Sequence, residues 1–372
     1  MDPDLQSRTQ ASSGSSDGEV VLELTDVVKT FGDAPAVRGI SMEVHEGELL
    51  TLLGPSGCGK TTTLRLIAGL ERPDAGYIRV GPNPVAGNGS FAPPESRPVG
   101  LVFQDFALFP HLTAAENIAF GITDLPEAER DDRVTELLEL VDLSDFGEYR
   151  PGDLSGGQQQ RIALARSLAV KPDILLLDEP FSNLDVDLRV HMREEVRRIL
   201  KDAGVTAISV THDQEEAMSI SDRVAVMHQG SIEQIGTPEV VFQQPTSRFV
   251  AGFLGHASFL SAHVVGDIVE TGIGRVGRDQ IHGLASEYDH TSIDVMVRPD
   301  DVIARPVEDD SAANGIVTYR RYLGPTVLYR VELDNGDTVE CMHNHTEDIS
   351  LDERVRVELP ATHDLAWFPS SV

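Results

Sequence analysis

The sequence predicts an α/β domain over about residues 19–240, followed by a small all-β, barrel-like domain over about residues 241–372. Two observations predict this division. In the first region, apolar runs typical of buried strands alternate with segments of helical spacing, as in a parallel sheet covered by helices. After Pro245, strand-like runs recur at short intervals, which indicates a barrel or sandwich. Residues 1–18 are rich in Ser, Asp and Gln, and we expect a disordered tail there.

The chain is strongly acidic, with a formal net charge of −31 and only four lysines among its 30 basic residues. Two interpretations are open: adaptation of the whole surface to high salt, as in a halophile, or a surface that repels nucleic acid or binds cations. The charge argues against binding to nucleic acid, which needs a basic face. The two cysteines offer no disulfide framework, and no run approaches 18 apolar residues. We therefore expect a cytosolic protein.

The first half of the α/β domain shows its predicted elements in sequence order. Residues 20–28 alternate apolar and polar side chains as a strand does, and residues 48–53 form a mainly apolar run. Residues 62–70 then have helical spacing. Residues 81–98 hold many Pro and Gly and predict a surface loop, whereas residues 113–141 follow a helical pattern.

The second half continues the alternation of strands and helices. Residues 99–103 predict a strand, and Ser155 is typical of an N-cap for a helix that runs to Val170. Residues 174–177 are continuously apolar, as expected of a strand covered on both faces. The remaining predicted elements are a helix at 186–200, a strand at 205–210, a helix at 214–220 and a hairpin of residues 223–227 and 231–235.

Short strand-like runs define the second domain, with a hairpin turn at residues 334–337, Asp-Asn-Gly-Asp. In the run at residues 338–342 and just beyond it, alternation places Cys341, His343 and His345 on one strand face. This is geometry for a metal-ligand set, and the alternative is an edge strand with exposed imidazoles. The other predicted strands lie at residues 292–297, 315–319, 326–333 and 354–359.

Residues 54–61 read Gly-Pro-Ser-Gly-Cys-Gly-Lys-Thr, which is the phosphate-binding loop of the G-x-x-x-x-G-K-[ST] form. It lies between a predicted strand and a predicted helix, and this context indicates an α/β P-loop NTPase. Lys60 is predicted to reach the β- and γ-phosphates, and the Thr61 hydroxyl to bind Mg²⁺. The loop residues predicted to bind the nucleotide are Gly54, Ser56, Gly57, Cys58, Gly59, Lys60, Thr61 and Thr62.

Polar residues follow three other predicted strands, where a parallel sheet binds its ligands. Asp178 and Glu179 end the strand at residues 174–177, and we expect Asp178 to hold Mg²⁺ and Glu179 to polarise the attacking water. Gln104 is predicted to sense Mg²⁺ and water, and His212 to contact the γ-phosphate. ATP and Mg²⁺ are therefore the expected ligands.

Residues 154–158 read Leu-Ser-Gly-Gly-Gln at the predicted start of a helix, which is a second anion-binding device. One chain cannot easily aim both helix ends at the same γ-phosphate. The sequence therefore predicts a dimer in which Ser155, Gly156, Gly157 and Gln158 of one copy close the site of the other. Asp185 is expected to bridge the two sites.

These motifs resemble the ATP-binding subunit of an ABC transporter over residues 20–245. The resemblance implies a homodimer, or a dimer with a paralogous ATPase, that drives transmembrane permease subunits from the cytoplasmic face of the membrane. It also implies that Phe31 stacks on adenine. Residues 105–111 resemble the importer branch, where this region contacts the permease and where a helical subdomain covers about residues 105–165. Phe106, Leu108 and Phe109 could instead be plain core.

The region after about residue 246 resembles the oligonucleotide-binding-like regulatory domain of importers that depend on an extracytoplasmic solute-binding protein. Residues 93–111 resemble the ferric-iron importers most, with polyamine, sugar, thiamine and sulfate importers as alternatives. An export ATPase and a soluble ABC ATPase acting on DNA or ribosomes are the rival classes. We expect an importer ATPase, most similar to those for ferric iron.

Overall fold

The structure is a computed structural model that describes residues 18–87 and 89–370. Apart from Gly18, the predicted disordered tail lies outside the described residues. The chain divides into two compact units, the first ending at Pro238 and the second beginning at Glu239. Each unit is described by itself below.

The first unit contains the phosphate-binding loop and all the other motifs of the α/β domain. Its strands, in chain order, are β1 (Val20–Phe31), β2 (Ala34–His45), β3 (Leu49–Leu53), β4 (Ala75–Val80), β5 (Asn83–Gly87), β6 (Ser90–Phe91), β7 (Val99–Val102), β8 (Ile174–Asp178), β9 (Thr206–Thr211), β10 (Arg223–His228) and β11 (Ser231–Gly236). Its helices are α1 (Lys60–Ala68), α2 (Ala114–Ala119), α3 (Glu127–Leu140), α4 (Gly156–Ala169), α5 (Val186–Asp202) and α6 (Gln214–Ile220).

A six-stranded sheet positions the motifs. Its order is β11-β10-β3-β9-β8-β7, and every neighbouring pair is parallel except the β10–β11 hairpin. The residues of β3 and β9 are all buried, which fits strands covered on both faces. The carboxyl ends of β3, β7, β8 and β9 therefore meet at one edge, and a motif follows each of them.

A second, antiparallel sheet has the order β2-β1-β4-β5-β6 and corrects the predicted loop at residues 81–98. Strand β5 pairs with β4, so that Ala86 lies opposite Ile78. Val85 and Ala86 are buried in the hydrophobic cluster between this sheet, α1 and the parallel sheet. The loop prediction was wrong for the residues of β5 and β6, whereas residues 92–98 lie outside the strands. Gly81 and Gly87, both with positive φ, lie in the turn before β5 and at its end, so they mark turns between short strands and not one open loop.

The single helical pattern predicted over residues 113–141 is two helices, α2 and α3. Thr113 caps α2 with a complete capping box to Glu116, and a 3₁₀ turn follows at Phe120–Ile122. Pro126 then provides the N-cap of α3. Proline lacks a backbone N–H and is disfavoured in a helix interior, so a helix cannot run through this position without a break.

The second unit is built mainly of strands in two five-stranded sheets. Their orders are β14-β13-β12-β15-β21 and β16-β20-β17-β18-β19, and every paired strand is antiparallel. Two short helices precede them, α7 (Pro238–Gln243), which begins at the unit boundary, and α8 (Arg248–Phe253). The strands are β12 (Ser258–Val265), β13 (Ile268–Thr271), β14 (Gly274–Gly277), β15 (Ser292–Val297), β16 (Ile303–Pro306), β17 (Gly315–Tyr322), β18 (Thr326–Leu333), β19 (Thr338–Asn344), β20 (Arg354–Glu358) and β21 (Trp367–Pro369).

One hydrophobic cluster is shared by both sheets of the second unit, with Tyr329 fully buried at its centre. The buried Tyr329 hydroxyl donates to the Glu347 carbonyl oxygen at 3.1 Å, which satisfies its polar end. The predicted all-β architecture of this region is confirmed, as is the turn between β18 and β19.

Candidate nucleotide site

The loop between β3 and α1 has a backbone that only glycine can adopt without strain. Gly57 and Gly59 have φ values of +80° and +105°. A Cβ at Gly59 would lie 2.4 Å from the Ala36 carbonyl oxygen, and one at Gly54 would lie 2.3 Å from that of Met227. These glycines therefore permit both the turn and the close approach of neighbouring backbone.

Lys60 is the first residue of α1 and is buried. Its ammonium Nζ donates to the Gly54 carbonyl oxygen at 2.7 Å and to that of Pro55 at 3.1 Å. Cys58 Sγ lies 3.9 Å from the same ammonium. Burial raises the pKa of the Cys58 thiol, so this side chain stays neutral beside the loop. The lysine is thus held within its own loop.

The start of α1 fits a phosphate group. No side chain caps this helix, whose N-cap is Gly59. The first N–H groups of a helix have no partner within it, and its N-terminus attracts anions. Ser56 lies exposed in the loop and Thr62 half-buried in the first turn, so all the predicted loop residues are brought to this helix start.

Asp178 lies at the end of β8, close enough to Thr61 for that hydroxyl to act on its carboxyl group. Burial, and next the negative charge of Glu179, raise the pKa of Asp178. A cation would relieve both effects, and a carboxylate with a hydroxyl is an oxygen donor set that suits Mg²⁺. Gln104 is exposed two residues after β7, where its carbonyl oxygen accepts from Asn183 Nδ2 at 2.8 Å. Asp178 and Thr61 therefore fit Mg²⁺, and Gln104 follows β7, the strand next to β8.

Glu179 follows β8 with a left-handed backbone, at a φ of +46°. Its N–H donates to the Val210 carbonyl oxygen at 3.0 Å, and its own carbonyl oxygen accepts from the Ser182 hydroxyl at 2.9 Å. His212 Nδ1 lies 3.3 Å from Glu179 Oε1. The structure thus brings together Glu179 and His212, two of the predicted catalytic residues, and hydrogen bonds hold the Glu179 backbone in its strained conformation.

Asp213 and Glu216 line a cavity of about 90 Å³ together with His212 and Glu179. The sequence analysis did not identify these two acids as site residues. Asp213 is the N-cap of α6, and Glu216, three residues on, is buried. Burial raises the pKa of Glu216 to about 7. The spacing of a capping acid and a glutamate at the third helical position was the available signal.

The Leu-Ser-Gly-Gly-Gln segment forms the start of α4, as predicted. Ser155 Oγ accepts from the Gln158 N–H at 3.3 Å, and Gln158 Oε1 accepts from the Ser155 N–H at 2.9 Å. A Cβ added at Gly156 would lie 3.2 Å from Leu184 Cδ2, and one at Gly157 would lie 2.9 Å from Met192 Sδ. The glycine pair therefore lets α4 pack closely against α5 and the residues before it.

Asp185 and Phe31 are both placed at the surface. Asp185 is the exposed N-cap of α5 and forms no side-chain cap. Phe31 ends β1 with 48% of its surface exposed, and Lys29 Nζ lies 5.1 Å from its ring centre. An exposed ring with a neighbouring cation is suitable for stacking on a nucleotide base.

The segment predicted to contact a permease is divided between core and surface. Phe106 is buried in the hydrophobic cluster of α2–α5, which is the plain-core alternative. Leu108 and Phe109 are half-buried, and Arg166 lies over the Phe109 ring at 5.6 Å. Phe103 and Phe120 are exposed and add apolar surface to this region.

The proposed metal set of the second unit is not supported. Cys341 and His343 are buried, whereas His345 is exposed. His343 Nε2 accepts from the Ala304 N–H at 3.2 Å, and its Nδ1 lies 2.7 Å from Glu347 Oε2. Within residues 18–87 and 89–370, no group of three or more His, Cys, Asp or Glu side chains is arranged to hold a metal. Strand β19 is an edge strand, but the expectation of exposed imidazoles is wrong for His343.

Comparison with known proteins finds a matching family for part of each unit. A family described as ABC transporter matches residues 37–182, and a TOBE domain matches residues 295–366. The spermidine/putrescine import ATP-binding protein of Thermobifida fusca is 44% identical over 345 residues, covering 89% of this chain and 88% of that protein. The trehalose/maltose import ATP-binding protein of Thermococcus litoralis is 45% identical over 312 residues, covering 77% and 84%.

Solved structures of ABC ATPases are also similar to this chain. An ATP-binding cassette solved as a dimer in a post-hydrolysis state with ADP and Pi is 31% identical, with a TM-score of 0.50, and covers 58% of this chain and 98% of that one. A Clostridium perfringens component of the ABC transporter complex cbiONQ is 28% identical, with a TM-score of 0.55, and covers 60% and 90%. In the part of the chain that the structure describes, no helix is long and apolar enough to span a membrane.

Proposed function

Since the chain belongs to the ATP-binding subunits of ABC importers and is an ATPase, we propose that the edge formed by β3, β7, β8 and β9 is its site of ATP hydrolysis. The observation that carries this proposal is the 3.3 Å approach of His212 Nδ1 to Glu179 Oε1, one residue after Asp178. The phosphate loop, the acidic strand end and the histidine come from three separate stretches of sequence. Their convergence at one edge supports a single active site.

The phosphates of ATP lie at the start of α1 in this proposal. Lys60 exchanges its bonds to the Gly54 and Pro55 carbonyl oxygens for the β- and γ-phosphate oxygens, while Phe31 stacks on the adenine. Thr61, Asp178 and Gln104 hold Mg²⁺. The cation, when bound, neutralises charge on the phosphate oxygens.

Glu179 acts as the base in the proposed reaction. It accepts a proton from a water molecule whose oxygen attacks the γ-phosphorus, and the bond to the β-phosphate oxygen breaks to release ADP and phosphate. His212 keeps the carboxylate oriented and contacts the γ-phosphate. The left-handed backbone at Glu179 supports this role, because such strain concentrates at functional sites.

The site is completed by a second subunit in this proposal, either a copy of this chain or a paralogous ATPase. Ser155, Gly156, Gly157 and Gln158 of the second subunit meet the γ-phosphate from the opposite side, and Asp185 bridges the two sites. The dimeric form of the solved cassette with ADP and Pi supports this arrangement. The Ser155 hydroxyl accepts one hydrogen bond within its own chain and retains its hydrogen for an anion.

The transported solute we propose is a polyamine, with a disaccharide as the second candidate. The expectation of ferric iron is not supported, because the similar proteins are named as spermidine/putrescine and trehalose/maltose importers. The resemblance of residues 93–111 to iron importers led to the wrong solute, because that segment does not contact the solute. The expected partners remain permease subunits at the cytoplasmic face of the membrane and, through them, an extracytoplasmic solute-binding protein.

Glu179→Gln tests the assignment of the base. The amide keeps the shape of the side chain but accepts no proton, so ATP hydrolysis should fall by about 10²- to 10⁴-fold while ATP binding persists and the nucleotide-bound dimer accumulates. Steady-state phosphate release and nucleotide titration measure the two quantities. Glu194→Gln, an exposed acid on α5, is the matched control and should hydrolyse at the wild-type rate. Near-normal hydrolysis by Glu179→Gln would show that another group is the base.

The solute is tested with the complex from its own membranes. Purification in molar KCl through tagged Glu179→Gln protein should recover a multi-span permease with a solute-binding protein. Titration of that binding protein with spermidine, trehalose and ferric ion should give the highest affinity for spermidine. Highest affinity for ferric ion would overturn the proposed solute, and recovery of ribosomes or DNA alone would overturn the transport role.

A further inference from the structure

The backbone around His212 is held by buried polar groups on both sides. Thr211 Oγ1 donates to Glu216 Oε2 at 2.8 Å and accepts from the Asp213 N–H at 3.0 Å. Asp213 Oδ1 accepts from the Glu216 N–H at 3.2 Å, which caps α6. By contrast, 57% of the His212 side chain is exposed. The position of the imidazole therefore depends on its two neighbours and on Glu179.

Asp213 also joins this segment to α5. Its Oδ2 accepts from Arg193 Nη2 and lies 3.7 Å from Arg189 Nη1. Arg193 is 5% exposed, and Arg189 lines the cavity beside Glu179 and His212. Arg193 Nη1 also lies 3.6 Å from Oε2 of the exposed Glu215, but its shorter contact is the one to Asp213. A buried charge is costly unless it is paired, so this contact constrains where Asp213 lies.

Arg189 makes a second contact that extends the connection. Its Nη2 donates to the Leu184 carbonyl oxygen at 3.2 Å, immediately before Asp185. Arg189 thus contacts the residue that follows His212 and also the residue that precedes Asp185. In the proposed mechanism these two segments face the γ-phosphate and the second subunit.

We propose that Asp213, together with Arg189 and Arg193, is a positioning group that keeps His212 beside Glu179 and fixes it relative to the Asp185 segment. The inference rests on the proposed function, because it assigns a role within that active site. None of the three residues touches the reacting atoms. Their loss should change the rate of hydrolysis and leave the binding of ATP at the phosphate loop intact.

Asp213→Asn is the first test. The amide oxygen still accepts the Glu216 N–H and preserves the cap, whereas the negative charge that attracts the arginines is gone. We expect kcat to fall about 10- to 100-fold, the range for a small misplacement of a catalytic group, with the KM for ATP within about twofold. A wild-type kcat in a folded Asp213→Asn protein would overturn the inference.

Arg193→Gln and Arg197→Gln form a matched pair on α5. Arg197 tethers the same helix to the far end of α6, since its Nη2 donates to Asp222 Oδ1 at 3.1 Å and it also binds the Ile220 carbonyl oxygen. We expect Arg193→Gln to lower kcat as Asp213→Asn does, Arg193→Lys to recover part of the loss, and Arg197→Gln to leave kcat within about twofold of wild type. Equal losses in the two Gln variants would show that loosening α5 alone explains the effect.

A double variant closes the test. If Asp213 and Arg193 act as one unit, Arg193→Gln with Asp213→Asn should be no slower than the slower single variant. Multiplied losses would contradict a shared role. Glu179→Gln, measured alongside, distinguishes failure of the positioning role from failure of the proposed function. If Glu179→Gln is inactive while Asp213→Asn is fully active, the assignment of Glu179 as the base is supported and only the positioning role of Asp213 fails. If Glu179→Gln is fully active, the assignment of the base fails instead.

Discussion

Two helix starts in the first unit, those of α1 and α4, are both proposed to contact the same γ-phosphate, yet they are built differently. The start of α1 has Gly59 as N-cap at a φ of +105° and no side-chain cap. The start of α4 has a complete capping box between Ser155 and Gln158. The first backbone N–H groups of α1 therefore have no side-chain partner, whereas those of α4 are capped by side chains of the same helix start.

This difference explains how a site proposed to be shared between two subunits can have a stable structure in each subunit before the dimer forms. The N–H groups at the start of α1 remain for a phosphate that binds within the same chain. The start of α4 needs no ligand to be stable, because its cap is complete and worth about 1 kcal/mol. A surface of this kind can be exposed in the free subunit and meet a second copy only when ATP is bound.

Ser155→Arg is expected to have the largest effect on this comparison. The long cation would fill the space in which the second subunit must meet ATP, so ATP-driven dimerisation in the Glu179→Gln background should disappear while the free subunit binds ATP normally. Size-exclusion chromatography with and without ATP measures dimerisation, and nucleotide titration measures ATP binding by the free subunit. Ser155→Ala is the control: it should lose about 1 kcal/mol of stability with the cap but still dimerise. Dimerisation of Ser155→Arg would remove α4 from the proposed site.

Gly59→Ala probes the other helix start. A side chain there is strained at a φ of +105° and would meet the Ala36 carbonyl oxygen at 2.4 Å. Strain of about 1–3 kcal/mol, relieved by distortion of the loop, corresponds to roughly a 5- to 150-fold loss of ATP affinity. Gly156→Ala, at the start of α4, has an ordinary backbone and should bind ATP as the wild type does. Equal ATP affinities for the two variants would erase the distinction between the two ends.

The start of α6 is the third helix start at this edge of the sheet, and it differs from the other two because it makes the stability of the protein depend on pH. Its Glu216 has a folded pKa of about 7 against 4.5 for the free side chain, first because of burial; Thr211 and Arg193 lower this pKa, and Asp213 raises it. The folded protein therefore binds this proton more tightly than the unfolded chain. Its contribution to stability is fully present below about pH 4.5 and is lost as pH rises through about 7.

Glu216→Gln should abolish that loss. The stability of the variant relative to wild type should rise between about pH 4.5 and 7, by up to about 3 kcal/mol, because each unit of pKa is worth 1.36 kcal/mol. Urea unfolding at several pH values measures the difference, and Glu194→Gln, an exposed acid, should show no such slope. A flat difference between Glu216→Gln and wild type would show that Glu216 is ionised in the folded protein well below pH 7.

The residues at the phosphate site could be predicted because each lies in a continuous motif. Lys60, Asp178 and His212 follow strands whose apolar runs are visible in the sequence, and parallel strands bring such ends together. The ABC transporter resemblance and the ATPase activity are likewise confirmed. The roles of the individual residues remain predictions.

What the sequence could not supply are contacts between distant segments. Arg97, in the predicted loop, is buried and its Nη1 donates to the Leu66 and Ile67 carbonyl oxygens at 2.7 Å, at the end of α1. A single arginine among prolines and glycines carries no periodic signal for such a contact. The tie from Asp213 to Arg193 was missed for the same reason. In the second unit, β21 is three residues long and pairs with β15, about 70 positions earlier, so local pattern could not reveal it.

The left-handed backbone at Glu179 has a consequence for how this protein could change over evolution. Glycine adopts a φ of +46° without steric cost, whereas a glutamate there gives up of the order of 1 kcal/mol. Selection for thermal stability alone would therefore favour glycine at this position, and selection for hydrolysis would keep the carboxylate. With Glu179 as the proposed base, its position is one where the most stable sequence and the most active sequence differ.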